Sequence, residues 1–528
     1  MLTWVRSSEW ERQLRLSIPY GACNREFANE CELAFETLQS SKMNAPAPVE
    51  LRFGKEISST VRARISYAFR VFAAIYNYRV VEPRTDSGAV CLEYAEKPSQ
   101  RCGTTWFHVP ARYSPQTQGT QAKQLVKHRY ANENLYLSRG VDAATGNPDW
   151  LGEVFEWISS SHELGIRVRD SVGRIPYRET IFNKQGISPR KPYATLLMAW
   201  MENALKNGNR VEGFAKAPSP IPRAEHLVVC THDIDFYHAN RASTLVRLAK
   251  NLGLSLHTAR SLSFFLSSSN MLMRVMKGKR VGDYLPAMLE KIEKREFQST
   301  LFVVPRRGHR RDPNYELQQL VPCLSEAAEK GFSTELHGSY TSVIEGDTLK
   351  AESLAIEKAM GKKPLGNRQH WLRFDHHDKL FAAIEEAALV FDSTMGFSDM
   401  VGFRNGASFA FPPYDFKNEK PYLFLEIPLA LMDVSLEAEW RTLRADPQLL
   451  ADELLRESRR WGWGGISVLW HNPMEALHVP KHINEVFWNC APKKGEAAEK
   501  WMSADQFVRQ CLSRYQNAGL MEGVNAGA

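Results

Sequence analysis

The sequence lacks the long apolar segments that a membrane span or a secretion signal requires. The stretch from Ser261 to Met273 is uncharged but short and rich in serine, whereas a membrane-spanning helix needs about 18 to 20 mainly apolar residues. The first residues, Met1 to Glu9, include charged side chains and no apolar run, unlike a secretion signal. The sequence therefore predicts a cytoplasmic protein with no membrane span.

Several patterns that identify common protein classes are also missing. The eight cysteines include no C-x-x-C pair, so neither a thiolate zinc site nor a disulfide framework is predicted. There is no G-x-S-x-G elbow, no P-loop and no H-E-x-x-H, which argues against the enzymes that use them. A net charge of +7 is small beside 67 basic and 60 acidic residues, so no nucleic-acid partner is predicted.

The chain does have length and one clear break. Its 528 residues, 43% of them hydrophobic, suffice for several hydrophobic cores. Pro218, Pro220 and Pro222 prevent a continuous helix or central strand. We therefore predict an N-terminal domain, a proline-rich linker, a second domain and a flexible tail over residues 1–215, 216–223, 224–515 and 516–528.

The two predicted domains differ in pattern. In the first, Trp150 to Ile158 and Thr195 to Leu205 are amphipathic, and we predict a helix-rich α+β fold whose role the sequence does not reveal. In the second, apolar strands alternate with helical stretches such as Leu317 to Glu329 and Lys379 to Ala388. This alternation predicts a parallel α/β sheet, most economically a closed barrel, with a helical insertion at about 237–296. The predicted strands are Leu227 to Cys230, Ser299 to Val304, Phe332 to Leu336, Arg368 to Trp371, Leu389 to Phe391, Leu423 to Pro428 and Ile466 to Trp470.

Asp233 and Asp235 follow the first predicted strand of the second domain. In an extended chain residues i and i+2 project to the same side. The two carboxylates are therefore expected to lie together and to repel unless a cation or a shared proton relieves them. Two interpretations follow from these residues alone: one carboxylate binds a metal while the other works as a base, or Asp235 caps the following helix.

Other reactive side chains also follow predicted strands, where a parallel barrel gathers its active site. Each one alone has a structural explanation: His337 can donate to a backbone carbonyl, Asp392 can cap a helix and His471 can end a strand. Their occurrence at successive strand ends favours a catalytic site. The set consists of His337, Arg368 with His370, Asp392, Phe403 with Arg404, and His471.

Five segments together resemble the motifs of the polysaccharide deacetylase family, the NodB-homology domain. They are Thr231 to Asp235, His337 to Ser339, Arg368 to Trp371, Asp392 with Ser393, and Leu469 to His471. The resemblance covers roughly Glu225 to Leu512. It implies a distorted (β/α)7-type barrel that removes N- or O-acetyl groups from carbohydrates with a divalent metal, usually zinc.

The resemblance also implies a role for each residue. Asp233 corresponds to the general base and Arg368 to the residue that orients it. His471 corresponds to the general acid, and Asp392 to the carboxylate that helps to set the pKa of His471. Asp235 and His337 correspond to metal ligands. The residues expected to contact the sugar are Trp371, Phe403, Arg404 and Trp470.

Two positions depart from that family pattern. Thr341 stands where the family has a second histidine, and threonine cannot replace imidazole as a zinc ligand. His370 stands where the family has proline, so we hypothesise that His370 supplies the missing nitrogen and completes the metal site. His376 or His377 is an alternative third ligand, and a protein that binds no metal is the other alternative.

The sequence thus predicts a metal-dependent carbohydrate deacetylase, most simply one that removes N-acetyl groups from a saccharide. A cytoplasmic enzyme of this kind would meet precursors or lipid-linked intermediates of a surface polysaccharide. Two alternatives stay open. One is a degenerate deacetylase-like protein that binds a saccharide or acts as a scaffold, and the other is an amidohydrolase for a non-sugar amide.

Overall fold

Two parallel sheets organise the part of the chain that the structure describes. No helix within that part is both long and apolar enough to cross a membrane. The computed structural model describes residues 46–526 except for 84–88, 100–105, 116–123, 131–132, 144–145, 208–225, 236, 238–244, 246–248, 250–268, 271, 274, 279–283, 314, 343–347, 375–378, 463, 472–479 and 496–498.

The first sheet lies in the N-terminal part. Its strands, and those of a hairpin that follows it, are β1 Pro48–Phe53, β2 Arg79–Val80, β3 Val90–Ala95, β4 Trp106–Pro110, β5 Val126–Tyr130 and β6 Glu133–Leu137. Strands β2-β1-β3-β4 run parallel in that order, whereas β5 and β6 pair antiparallel. The α+β prediction missed this parallel pairing, because strands as short as the two-residue β2 give a weak apolar signal.

Four α-helices accompany this sheet. They are α1 Ser59–Ile75, α2 Trp150–Ile158, α3 Ile181–Gln185 and α4 Tyr193–Asn207. The Ser58 side chain accepts a hydrogen bond from the Val61 amide and so caps α1. The predicted helix at Trp150 to Ile158 coincides with α2, and the one at Thr195 to Leu205 lies within α4. Short 3₁₀ turns occupy Ser161–Glu163 and Tyr177–Glu179.

The second sheet is parallel and curled. Its strands are β7 His226–Asp233, β8 Thr300–Val303, β9 Ser333–Gly338, β10 Gly366–Gln369, β11 Phe391–Asp392, β14 Leu425–Glu426, β15 Leu429–Met432, β16 Gly464–Leu469 and β17 Glu499–Met502, while β12 Tyr414–Asp415 and β13 Lys420–Pro421 form a separate ribbon. The order is β14-β11-β10-β9-β8-β7-β16-β15, and β17 also pairs with β7. Leu429 bridges Gly396 beyond β11, which brings the two edges of the curled sheet close together.

Helices alternate with these strands along most of the chain. They are α5 Tyr284–Glu293, α6 Leu317–Glu329, α7 Thr348–Met360, α8 Lys379–Glu386, α9 Asp433–Leu443, α10 Pro447–Trp461, α11 Lys481–Cys490 and α12 Ala504–Asn517. The predicted α/β alternation is therefore present. The segment from β11 to β15 interrupts it, since no helix lies between β11, the β12–β13 ribbon, β14 and β15.

Three further predictions concern connections and the tail. The proline-rich linker at 216–223 lies outside the described residues. So does most of the insertion at about 237–296, of which α5 is the main described element. The tail at 516–528 was predicted to be flexible, but Leu520 and Met521 are buried. The apolar side chains that follow α12 pack into the core, so the described part of this segment is not a free tail.

Candidate functional site

A cavity opens at the carboxyl ends of the strands of the second sheet. Its volume is about 450 Å³, toward the lower end of the roughly 300–1,000 Å³ typical of small-molecule sites. Parallel sheets commonly place their ligand-binding residues at this edge. Six of the residues predicted from the sequence line the cavity, namely Asp233, Asp235, His337, His370, Trp371 and His471.

Arg368 is fully buried behind the cavity and makes five hydrogen bonds through its guanidinium group. Nη1 donates to Asp233 Oδ1 at 3.0 Å and to Thr231 Oγ1 at 2.7 Å. Nη2 donates to the hydroxyls of Ser393 and Ser467 at 2.8 and 2.7 Å, and Nε donates to the Ser393 carbonyl at 2.9 Å. Because a guanidinium has five N–H groups, this cation is fixed, and it orients the Asp233 carboxylate at the cavity.

Asp235, His337 and His370 form a cluster in which one carboxylate and two imidazoles converge. Their potential ligand atoms lie within 4.8 Å of one another. Nε2 of each histidine is 3.6 Å from Asp235 Oδ1, which is long for a direct hydrogen bond. Asp235 Oδ1 is buried and has no hydrogen-bond partner among the described residues. A cation held between this oxygen and the two imidazoles would satisfy it.

The other ring nitrogen of each histidine already has a partner. His337 Nδ1 donates to the Arg368 carbonyl at 2.7 Å, and His370 Nδ1 donates to Asp312 Oδ1 at 3.2 Å. Metal-binding histidines commonly donate their second N–H to a carbonyl or a carboxylate in this way, which leaves Nε2 for the metal. One carboxylate and two imidazoles beside an open cavity therefore fit the donor set of a catalytic zinc site.

The electrostatics of this cluster favour positive charge. Burial opposes the charged form of His370, but the carboxylates of Asp235 and Asp312 outweigh it and raise the pKa of His370 to about 9. Burial also opposes the charge on Asp235, but His370 and His337 outweigh it and hold the pKa of Asp235 well below its usual range. The carboxylates thus attract a cation to this point, and either a proton or a metal ion can supply it.

The chain turns sharply after His370. Trp371 and Leu372 have φ values of 66° and 50°, in the left-handed region that costs non-glycine residues about 1 kcal/mol or more each. The turn leaves His370 buried and Trp371 42% exposed. His370 consequently belongs to the ligand cluster, whereas Trp371 forms part of the cavity wall.

His471 lies on the other side of the cluster and is held by Asp433. His471 Nδ1 donates to Asp433 Oδ1 at 2.9 Å, and the His471 amide donates to Asp433 Oδ2 at 2.8 Å. Its Nε2 is 3.8 Å from Asp235 Oδ2. Burial opposes the imidazolium, but Asp433 outweighs it and raises the pKa of His471 to about 10. The ring is therefore positioned to hold a proton at Nε2, facing the cavity.

Asp392, which the sequence predicts to influence His471, lies within the second sheet. It is buried in β11, where Asn367 Nδ2 donates to its Oδ1 at 2.8 Å and the Thr394 amide donates to its Oδ2 at 3.0 Å. Burial raises the pKa of Asp392. The predicted influence of Asp392 on His471 gains no support from these contacts, because the Asp392 carboxyl group is engaged within the sheet while Asp433 binds the imidazole.

Three of the four side chains predicted to contact a sugar lie away from the cavity. Phe403 is fully buried. Arg404 is buried as well and donates to both carboxylate oxygens of Glu163, at 3.1 and 2.8 Å. Trp470 packs against an aromatic ring of α11. Neighbouring elements cover these three side chains, and Trp371 is the one of the four that lines the cavity.

Asp433 and Asp312 belong to the site but are absent from the prediction. Asp433 directly follows β15, and the apolar run of that strand was a signal that could have located it. Asp312 lies in the loop after β8 and has no comparable signal, since a second carboxylate behind a histidine forms no local pattern. Thr341 does not belong to the cluster, and the alternative ligands His376 and His377 lie outside the described residues.

Comparisons with known proteins give limited similarity. No protein-family model matches the sequence, and no match was found among curated proteins. The structure of peptidoglycan deacetylase PdaC from Bacillus subtilis matches with a TM-score of 0.26 and 11% identity, over 55% of this chain and 94% of that chain. The polysaccharide deacetylase Bc1974 from Bacillus cereus matches with a TM-score of 0.25 and 8% identity, over 51% of this chain and 90% of that chain. Values this low do not decide the function, so any assignment must come from the site residues.

Proposed function

We propose that this protein is a metal-dependent hydrolase that removes the acetyl group from an acetylated amino sugar. One observation supports this most directly: a carboxylate held by a buried arginine, a cluster of one carboxylate and two imidazoles that could hold a metal ion, and a histidine held by a second carboxylate all face one cavity. Amide hydrolysis needs these three components, namely a base, an electrophile and an acid. Their presence together favours catalysis over a degenerate, saccharide-binding scaffold.

Asp233 is the proposed general base. Arg368 binds its Oδ1, and Asp233 Oδ2 lies 3.6 Å from His337 Nε2, so this second oxygen lies beside the ligand cluster. From there it can accept the proton of a water molecule that attacks the acetyl carbonyl. Zinc bound by Asp235, His337 and His370 would polarise that carbonyl and lower the pKa of the water.

His471 is the proposed general acid. Its Nδ1–H is committed to Asp433, so the proton available to the substrate is the one on Nε2, which faces the cavity. When the C–N bond of the tetrahedral intermediate breaks, this proton passes to the leaving amine of the sugar. Asp433 stabilises the imidazolium before the transfer and fixes the ring that carries it.

The cavity wall also suits an acetylated sugar. Leu372, Met432 and Leu469 belong to one small apolar cluster and all line the cavity, so they can contact the acetyl methyl group. Trp371 offers an exposed ring on the same wall, and aromatic faces commonly pack against apolar surfaces of ligands. This apolar patch beside an exposed aromatic ring is the reason to propose a sugar amide rather than any other amide.

Metal removal tests this function directly. We expect the purified protein to release acetate from N-acetylhexosamines, to lose that activity after dialysis against a chelator, and to regain it when about one equivalent of zinc is added. Acetate release and zinc content are measured on the same samples. Full activity in protein free of metal would disprove the metal-dependent mechanism, and hydrolysis of small acetamides in preference to acetylated sugars would disprove the substrate class.

Replacing Asp433 with Asn should shift the pH dependence of turnover. The acid must be protonated, so activity is present below the pKa of His471 and is lost as pH rises through it. Without the Asp433 carboxylate the pKa of His471 falls, so the alkaline limb of the kcat profile should move to lower pH, with kcat lower by about tenfold near neutrality. The matched control is Asp452→Asn, a change on the exposed face of α10. If the alkaline limb lay at the same pH in the Asp433→Asn and Asp452→Asn variants, the proposed effect of Asp433 on the pKa of His471 would be contradicted.

A further inference from the structure

Positively charged side chains gather at the mouth of the cavity. The loop after β8 contains Arg306, Arg307, Arg310 and Arg311, and the last two line the cavity. Arg174, from the N-terminal part, lines it as well. None of the proposed catalytic steps uses these arginines, so the cavity carries more positive charge than deacetylation of a neutral sugar requires.

The arginine-containing loop after β8 is hydrogen-bonded to the proposed catalytic cluster through Asp312. Asp312 Oδ2 accepts hydrogen bonds from the amides of Gly308 and His309, at 3.0 and 2.7 Å. Its Oδ1 accepts from the Tyr340 amide at 2.7 Å and from His370 at 3.2 Å. One carboxylate thus fixes the loop and a metal-ligand histidine together, so the arginines of the loop have a defined position relative to the reacting group.

Arg311 is held in place without a counter-charge. Its Nη1 donates to the Tyr340 hydroxyl at 2.8 Å, and its guanidinium lies 5.0 and 5.5 Å from the ring centroids of Tyr340 and Trp371. Arg373 lies 4.2 Å from the centroid of the same Tyr340 ring. Among the described residues no carboxylate lies within ion-pair distance of either guanidinium, so two like charges share one ring with no anion between them.

The remaining charged side chains at the mouth do not neutralise the positive charge of Arg311 and Arg373. Arg310 is exposed and makes neither a hydrogen bond nor an ion pair with any described residue, while Arg174 is paired with Asp170 at 2.8 Å. The three carboxylates of the cavity wall already have partners: Asp233 binds Arg368, Asp235 belongs to the ligand cluster, and Asp312 binds the loop amides. The unmatched positive charge therefore remains available to a ligand.

We propose that the acetylated sugar carries a phosphate group, which Arg310 and Arg311 bind at the mouth of the cavity. This inference rests on the proposed function and specifies its substrate class. Two guanidinium groups offer several N–H donors in the planar arrangement that matches phosphate oxygens, and each such bond joins full opposite charges. A cavity of about 450 Å³ suits one sugar with its phosphate at the mouth, and both a sugar nucleotide and a lipid-linked sugar present that chemistry.

Binding to an inactive variant tests the inference without depending on turnover. Zinc-loaded Asp233→Asn protein is titrated by calorimetry with an N-acetylhexosamine 1-phosphate, a nucleoside diphosphate N-acetylhexosamine, the neutral methyl glycoside of the same sugar and an N-acetylhexosaminuronic acid. We expect both phosphorylated probes to bind at least about tenfold more tightly than the neutral glycoside, the gain typical of one charge-assisted hydrogen bond. The tighter of the two indicates which source of phosphate the mouth accommodates.

Arginine variants then locate the phosphate contact. Arg310→Gln and Arg311→Gln should each reduce the preference for the phosphorylated probe over the neutral one by about tenfold. Arg306→Gln removes the same charge from the same loop, outside the cavity lining, and should keep that preference. Arg310→Gln serves as the main variant, since its side chain is exposed and its loss should not disturb folding.

The outcomes separate the two proposals. Equal binding of phosphorylated and neutral sugars, tighter binding of the uronic acid, or a preference that survives both cavity-arginine changes would each overturn the phosphate assignment. Acetate release from the neutral sugar by wild-type protein would nevertheless uphold deacetylation. Conversely, a phosphate preference that depends on Arg310, in a wild-type protein that hydrolyses no acetylated sugar, would uphold the anion site and overturn the proposed reaction.

Discussion

Asp233→Asn protein should retain its fold and its zinc but release acetate about 10²–10⁴-fold more slowly than the wild type, the range typical of removing a general base. The amide can still accept the hydrogen bond from Arg368, so the buried guanidinium keeps five acceptors. It cannot accept a proton from water. The loss should therefore appear in kcat for every acetylated substrate, measured by acetate release under substrate saturation.

Two controls separate this chemical effect from a structural one. Asp452→Asn makes the same chemical change on an exposed helix face and should leave kcat unchanged. The unfolding midpoint and zinc content of Asp233→Asn protein should match those of the wild type, since Asp233 is not one of the proposed ligands. Retention of a tenth or more of the wild-type kcat would show that another group accepts the proton.

The sequence was sufficient to locate most of the site because the carboxyl ends of parallel strands lie at the same edge of a sheet. Asp233, Asp235, His337 and His471 each follow or end an apolar strand that periodicity detects, and all four line the cavity. Strand register then determines how they meet: Arg368 pairs with His337 across β10 and β9. These relations depend on local pattern and on one topological rule, so a single sequence can reveal them.

Contacts between residues distant in the sequence determine the surroundings of the other predicted side chains. Asp392 and Asp433 both lie at strand ends, yet only Asp433 meets His471, because the uninterrupted passage from β14 to β15 adds a strand that the sequence pattern did not separate. Arg404 is neutralised by Glu163, more than two hundred residues earlier in the chain. A charged residue next to a predicted strand end gives no indication of such a distant partner.

The proposed third ligand, His370, would compensate locally for the threonine at position 341. Thr341 lies outside the cluster, and the left-handed turn at Trp371 and Leu372 leaves His370 buried beside Asp235. Asp312 then accepts the His370 Nδ1 hydrogen bond. The proposed ligand His370, directly after β10, and the Asp312 carboxylate in the loop after β8 would together take the place of a histidine pair on one segment.

His370→Ala should therefore lower zinc affinity by at least about 100-fold and remove acetate release at the zinc concentrations that saturate the wild type. Loss of one of three protein ligands leaves Asp235 and His337, which are too few for a stable catalytic zinc site. Zinc content is measured after dialysis against a metal buffer, and affinity by competition with a chromogenic chelator. High zinc concentrations should restore only a small part of the activity.

A matched histidine variant makes this result specific. His128→Ala changes a half-buried histidine in the β5–β6 hairpin and should retain zinc and activity. His370→Gln adds a second test, because its side chain can fill the space and bind Asp312 but does not replace imidazole as a zinc ligand. The metal-free glutamine variant and the metal-free wild type should unfold at the same midpoint. If the variant nevertheless bound no zinc, the cause would be the missing zinc ligand and not a change in folding. Wild-type zinc affinity in both His370 variants would instead exclude His370 from the metal site.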